Sequence, residues 1–79
     1  MELKILVNSE LDDVLYTQWE AWVVSNGTVQ TPASWVEYMK QLDGVEDAAF
    51  VTENSIHENH SLLQFKSEEH KNWFLLKWS

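Results

Sequence analysis

The stretch that decides the fold is residues 9–27, which read SELDDVLYTQWEAWVVSNG. Ser9 can cap a helix by accepting a hydrogen bond from a backbone N–H, and acids follow in the first turn, where the helix dipole favours them. Asn26-Gly27 can end that helix in the left-handed conformation. The stretch therefore predicts an amphipathic helix that packs inward through its tryptophans. Its apolar stripe comprises Leu11, Val14, Leu15, Trp19, Trp22 and Val23.

The segments on either side predict a strand before this helix and a second helix after it. In residues 2–7, Leu3, Ile5 and Val7 fall on one side and Glu2 and Lys4 on the other, as in a half-buried strand. Thr31 and Pro32 predict the next helix start, because threonine caps well and proline suits the first helical position. Asp43-Gly44 closes this second helix. Its predicted apolar face comprises Trp35, Tyr38, Met39 and Leu42.

The remainder of the chain predicts a hairpin, a third helix and a final strand. Residues 45–52 and 61–66 alternate as strands do, and the polar stretch 54–60 between them predicts an antiparallel hairpin. Ser67 and the two acids after it predict a helix start. Beyond Trp73, helical spacing would scatter the apolar residues around the axis, whereas they alternate cleanly along the chain. We therefore expect the last residues to leave the helix and add a short strand.

The resulting element order is β-α-α-β-β-α-(β), within a single domain that spans residues 1–79. Two-layer α+β packing accommodates this order, with the helices on one face of a small antiparallel sheet. The arrangement resembles a split β-α-β unit of the ferredoxin-like type with an extra helix after the first. We expect an α+β two-layer sandwich of this variant.

Composition excludes several classes of function. The chain has 79 residues, and five basic residues, all lysine, stand against thirteen acids, for a formal charge of −8. Direct nucleic-acid binding is not expected, because such affinity comes largely from basic side chains. The absence of cysteine excludes a disulfide framework, a thiol nucleophile and a cysteine zinc site. Without a basic start followed by an apolar run, we expect neither secretion nor membrane binding, and a cytoplasmic location.

Few clusters of residues suggest chemistry. His57, Glu58 and His60 could supply ligands to a metal, although their spacing is not that of the helical H-E-x-x-H zinc signature. Ser61 follows these histidines, but no glycine-rich turn lies near it to supply an oxyanion site. We therefore predict that the protein is not an enzyme and holds no cofactor. A metal-dependent activity at the two histidines and the glutamate is the alternative.

Two groups of residues are candidates for binding a protein partner. Glu10, Asp13 and Glu20 fall opposite the apolar stripe, either as a solvated helix face or as a docking surface for a basic partner. Trp73 and Trp78 are the other candidates, because tryptophan is enriched at interface hot spots. Carboxylates along a rigid helix can also imitate phosphates, so a DNA-mimic inhibitor of a nucleic-acid-binding protein is an alternative function. A self-associating structural protein is another.

The end of the chain carries one resemblance. Residues 63–69 (LQFKSEE) and 73–78 (WFLLKW) resemble the ending of small accessory proteins of T4-like tailed phages, whose function is not established. That family usually has an acid and a small residue where this chain has residues 70–72, and often an arginine near the end. The resemblance implies the cytoplasm of an infected bacterium and a modulator or inhibitor that binds a host or phage protein. It carries over no functional residues.

Overall fold

The computed structural model describes residues 1–53 and 59–78. Within these ranges the strands form one antiparallel sheet in the order β1-β3-β2. β1 and β2 therefore run parallel on either side of β3 and are joined through two helices, which is the predicted split β-α-β connection. The α+β class and the β2-β3 hairpin are confirmed. The elements are β1 (Glu2–Leu6), α1 (Glu10–Asn26), α2 (Pro32–Lys40), β2 (Val45–Val51), β3 (His60–Phe65) and α3 (Glu68–Trp78).

Helix α1 begins and ends where its sequence predicts. The backbone N–H of Asp12 donates to Ser9 Oγ at 3.2 Å. Gly27 takes the left-handed conformation with a φ of 62°, which lets its N–H close the last turn of the helix. Val14, predicted on the apolar stripe, is 42% exposed and marks the edge of the packed face. The buried residues of the stripe are Leu15, Trp19 and Val23.

Helix α2 starts with a reciprocal capping box. The N–H of Ser34 donates to Thr31 Oγ1, and the N–H of Thr31 donates to Ser34 Oγ, both at 3.1 Å. Pro32 occupies the start of the helix, where its missing N–H costs nothing. On the inner face, the indole N–H of Trp35 donates to Ser61 Oγ at 2.8 Å, and both residues are buried. This bond ties α2 to the central strand.

Alternate residues of the sheet face the helices and build the core. In the central strand, Leu63 is fully buried and lies in register between Leu3 of β1 and Ala48 of β2. The next residue of β3, Gln64, lies between Glu2 and Asp47, so this position on the opposite face is polar. The buried apolar residues of the sheet are Ile5, Val45, Ala48, Leu63 and Phe65.

A β-bulge at the start of β2 decides which of its residues face the core. Val45 pairs with Phe65, while Asp47 pairs with the preceding residue of β3, so Glu46 is an extra residue in the ladder. Because of this extra residue, Val45 and Ala48 both face inward although they are three positions apart. The alternation of the sequence over this strand does not show the bulge.

The chain is helical from Glu68 to Trp78, so the predicted terminal strand is wrong. Helix α3 begins as predicted, with Ser67 Oγ accepting a backbone hydrogen bond at 3.3 Å, but it continues to Trp78. Phe74 is 3% exposed, and its ring packs edge-to-face on Phe65 with centroids 5.1 Å apart. Phe74 and Trp78 are four residues apart, a spacing that places them on one side of a helix. Leu76, which alternates with them in the sequence, is instead exposed.

Helix α3 packs closely on the turn between α2 and β2. Gly44 in this turn has a φ of 83°, and a Cβ built on it would lie 2.9 Å from the Cβ of His70. Glycine therefore meets two needs at once, the left-handed backbone and the close approach of the helix. The same turn is tied to the end of β3, because the N–H of Lys66 donates to the Gly44 carbonyl at 3.2 Å.

Candidate partner-binding site

A cavity of about 420 Å³ lies where helices α1 and α2 begin. Its walls come from the turn after β1, the first turns of α1, the start of α2 and the inner face of β2. This volume lies within the range of cavities that bind small ligands or single side chains of a partner. Four aromatic residues line it, namely Tyr16, Trp19, Trp35 and Phe50.

Three of these rings pack on one another and form what we term the aromatic corner (Tyr16, Trp19 and Trp35). Trp19 and Trp35 pack edge-to-face, with centroids 5.1 Å apart and planes inclined by 84°. Tyr16 packs on Trp19 at 5.3 Å and 66°, and it is 44% exposed. The planes of Tyr16 and Trp35 are inclined by 42°. The two tryptophans are thus buried core residues and cavity wall at the same time.

Two neighbouring carboxylates, Asp12 and Asp13, line the same cavity. Asn8 adopts a left-handed conformation with a φ of 67°, which asparagine tolerates, and its N–H donates to Asp12 Oδ2 at 3.1 Å. Desolvation raises the pKa of Asp12 above its usual value, and the charge of Asp13 raises it further, against the opposing effect of the Asn8 hydrogen bond. Among the described lining residues there is no lysine or histidine. The cavity therefore combines a negative wall with an aromatic one.

The indole N–H of Trp19 is a buried donor whose partner is missing. Trp19 is 7% exposed, and its Nε1 meets no hydrogen-bond acceptor within the described residues. Leaving such a group unpaired costs about 1–3 kcal/mol, so buried donors are normally satisfied. The indoles of Trp22 and Trp35 do have acceptors, at 3.2 and 2.8 Å. Nε1 itself is inaccessible to solvent, so this unpaired donor lies within the packed wall and not on the open surface of the cavity.

One of the acids predicted on the outer face of α1, Asp13, lines this cavity. Glu10, Asp13 and Glu20, which we term the acid row, are all exposed as predicted. Their spacings of three and seven residues place them along one side of the helix. Asp13 belongs to both the acid row and the cavity lining, and Tyr16 lies between Asp13 and Glu20 on the same side. The row is therefore continuous with the cavity.

The two C-terminal tryptophans differ in exposure. Trp73 is 69% exposed on the outer side of α3. Trp78 is half-buried, with its ring 6.2 Å from that of Phe74 and the Lys77 ammonium 5.4 Å from its centroid. Of the two tryptophans predicted to bind a partner, Trp73 is thus the one that offers most of its ring to solvent. Its surroundings include Asp43 of the turn after α2, whereas the acid row lies on α1.

The residues of the predicted metal alternative are only partly described. His57 and Glu58 lie outside the described residues. His60 is buried at the start of β3, in register with Leu6 and Val51. Within residues 1–53 and 59–78, no three histidine, aspartate or glutamate side chains are grouped to hold a metal ion. The metal alternative stays a prediction.

Asp12 and Tyr16 are site residues that the sequence pattern does not reveal. The pattern marks Asp12 as a charge at a helix start and gives Tyr16 no role. One local signal could have found them, because Tyr16 follows Asp12 by four residues and so extends the same side of the helix. Thr31 and Pro32 complete the cavity from the start of α2, and no local pattern links them to α1.

Comparison with known proteins finds no matching family model, no significantly similar curated protein and no significantly similar solved structure. The resemblance of residues 63–69 and 73–78 to T4-like phage proteins therefore stays a prediction. No helix within the described part of the chain has the length and apolarity needed to cross a membrane. Inference about function consequently depends on the geometry of the cavity and its surroundings.

Proposed function

We propose that this chain is a small acidic protein-binding module that modulates a partner with a basic surface, by surface complementarity and without catalysis. The observation that carries this proposal is the continuity of the acid row with the aromatic cavity through Asp13. Protein interfaces combine aromatic area that can be desolvated with charges that match those of the partner. Both components adjoin on one side of α1.

The charge of α1 is not balanced within the helix. Its residues include no lysine, so no pair of opposite charges one turn apart can form along it. Glu10 and Asp13 lie in the first turn, where the helix dipole stabilises them. Glu20 lies in the middle of the helix, beyond the reach of that effect. A basic partner surface would compensate all three, and the net charge of −8 would speed the encounter.

The biological role within this proposal is accessory. The module binds a host or phage protein in the cytoplasm and alters its activity by occupying part of its surface. The phage setting is supported by the resemblance of residues 63–69 and 73–78 to endings of T4-like phage proteins. The exposed ring of Trp73 supplies a second contact surface for such a partner.

Affinity capture from bacterial lysates at low salt tests the function. The tagged chain should retain a partner in stoichiometric amount, and replacing the acid row by the corresponding amides should release it. The matched control, E37Q, E46Q and E53Q, removes the same number of exposed charges outside the row and should retain the partner. Absence of a stoichiometric partner from several hosts would contradict the function.

Competition with duplex DNA separates the DNA-mimic alternative from the leading proposal. Displacement of the captured partner by DNA would mean that the acid row occupies a nucleic-acid-binding surface on it. Retention of the partner at saturating DNA would mean that the surfaces match without mimicry. Equal loss of partner from the acid-row variant and its charge-matched control would show non-specific attraction and count against both.

A further inference from the structure

We infer that the cavity at the start of α1 and α2 binds an arginine side chain presented by the partner, with its guanidinium between the aromatic corner and the carboxylates of Asp12 and Asp13. This inference rests on the protein-binding function proposed above and adds the chemistry of the contact. The charge of the lining and the geometry of its rings support it.

The charge of the lining favours a cation over an anion. Helix starts attract anions through unpaired N–H groups, but at both helices the capping side chain already accepts from one of these groups. The N–H groups of Asp12 and Asp13 donate to the side chain and carbonyl of Ser9, at 3.2 and 3.0 Å. The N–H of Ser34 donates to Thr31 at 3.1 Å. The two carboxylates are therefore the dominant charges that a ligand would meet.

The rings favour a guanidinium over an ammonium ion or a nucleobase. A guanidinium is planar and weakly hydrated, and it stacks on aromatic faces, whereas an ammonium holds its water strongly. Its five donors form a planar fork that suits a carboxylate, and both Asp12 and Asp13 line the cavity. The steep angle of 84° between Trp19 and Trp35 leaves no parallel pair of rings between which a base could stack. The corner instead accommodates a side chain entering from the solvent.

An NMR titration with short capped peptides tests the inference directly. Three pentapeptides carry arginine, lysine or citrulline at the centre of a glycine sequence, and citrulline keeps the shape of arginine without its charge. The arginine peptide should shift the indole N–H of Trp19 and the amides of Asp12 and Asp13. We expect lysine to bind about threefold more weakly and citrulline about tenfold more weakly. Spermidine, a cation with no planar guanidinium, should bind more weakly than the arginine peptide.

Two single substitutions provide a matched pair of variants. D13N and E20Q each remove one exposed carboxylate from the same side of α1, but only Asp13 lines the cavity. D13N should weaken binding of the arginine peptide about threefold to fivefold, and E20Q should weaken it less than about twofold. Equal weakening by the two variants would overturn the inference, because it would show attraction to the net charge alone. Citrulline binding as tightly as arginine would also overturn it, and so would spermidine matching the arginine peptide.

Failure of this inference can be distinguished from failure of the protein-binding function. D12N combined with Y16L alters the cavity while leaving the acid row intact. If this double variant folds and still captures the same partner as the unsubstituted chain, the arginine inference is wrong and the protein-binding function stands. If the arginine peptide binds in the cavity but no lysate yields a partner, the protein-binding function fails and the arginine site stands.

Discussion

Helices α1 and α3 start alike but pack differently. Each begins at a serine followed by acids, and in each the serine hydroxyl accepts a backbone hydrogen bond in the first turn. α1 then buries a stripe of three residues, whereas Phe74 is the single buried residue described in α3. Of the other apolar residues of α3, Leu75 and Trp78 are partly buried, and Trp73 and Leu76 are exposed. Start signals therefore decide where a helix begins, while the spacing of apolar residues decides how firmly it docks.

The largest expected effect concerns Phe74, the one buried side chain described in α3. Phe74→Ala should lower the free energy of unfolding by about 3–5 kcal/mol, because it removes a buried ring that packs on Phe65. Trp73→Ala on the outer side should change it by less than about 0.5 kcal/mol. Urea denaturation followed by circular dichroism measures both values. Similar losses from the two variants would show that α3 docks through both of its sides.

The second effect separates the two left-handed glycines. Gly44→Ala should cost about 2–3 kcal/mol, because it adds a Cβ contact with His70 to the strain of a positive φ. Gly27, which ends α1, has a similar φ but open space around it. Gly27→Ala should therefore cost only about 1 kcal/mol. Thermal denaturation of the two variants gives the comparison. Equal costs would mean that α3 moves away from the turn freely.

The third effect tests the bond that holds α2 to the sheet. Ser61→Ala should lower the free energy of unfolding by about 1–3 kcal/mol, because the buried indole of Trp35 would lose its acceptor. Gln41→Ala removes the acceptor of the Trp22 indole at an exposed position and should cost less than about 0.5 kcal/mol. Chemical denaturation measures both. A larger loss of stability from Gln41→Ala than from Ser61→Ala would show that burial does not decide the cost of losing the acceptor.

The smallest effect concerns Asp12 and depends on pH. The pKa of Asp12 is raised in the folded protein, so ionisation of this carboxyl opposes folding. The contribution of Asp12 to stability therefore falls as the pH rises from its pKa in the unfolded chain through its pKa in the folded protein. D12N keeps an acceptor for Asn8 but has no charge, so at pH 7 it should be the more stable protein. Its advantage should shrink as pH falls towards the unfolded pKa of Asp12. If the stability advantage of D12N instead grew as the pH fell, folding would lower the pKa of Asp12 and not raise it.

The starts of α1 and α2 and the end of α1 were predictable because their signals act through adjacent backbone. Ser9 and Thr31 satisfy N–H groups three residues away, and Gly27 closes the turn that precedes it. Such bonds depend little on the rest of the fold. The hairpin was predictable for a related reason, since both of its strands alternate and a polar stretch joins them.

The end of α3 was not predictable, because its apolar residues fit two periods. Phe74, Leu76 and Trp78 alternate as in a strand, yet Phe74 and Trp78 also lie one helical turn apart. The contact of Phe74 with Phe65 accompanies the helical arrangement, and it joins residues on different elements. The exposure of Leu76 follows from the helix and could not be read from the alternation.

The cavity was not predictable, because its parts are distant in the sequence. Asp12 and Pro32 lie twenty positions apart and share a wall only after α1 and α2 pack together. The acid row was predicted as an outer face, but its proximity to the aromatic corner depends on that packing. Trp19 and Trp35 were predicted as core residues, and both are buried. Their burial does not reveal that they also line a cavity.

Glu46 is the position at which the sheet can lose a residue at the least cost. It is the extra residue of the bulge, so its deletion would leave Val45 opposite Phe65 and restore regular pairing. Deletion at Ala49, by contrast, would turn every residue on one side of it to the wrong face. In evolutionary terms, β2 carries one spare residue, and a change of length at Glu46 needs no compensating change in the loops.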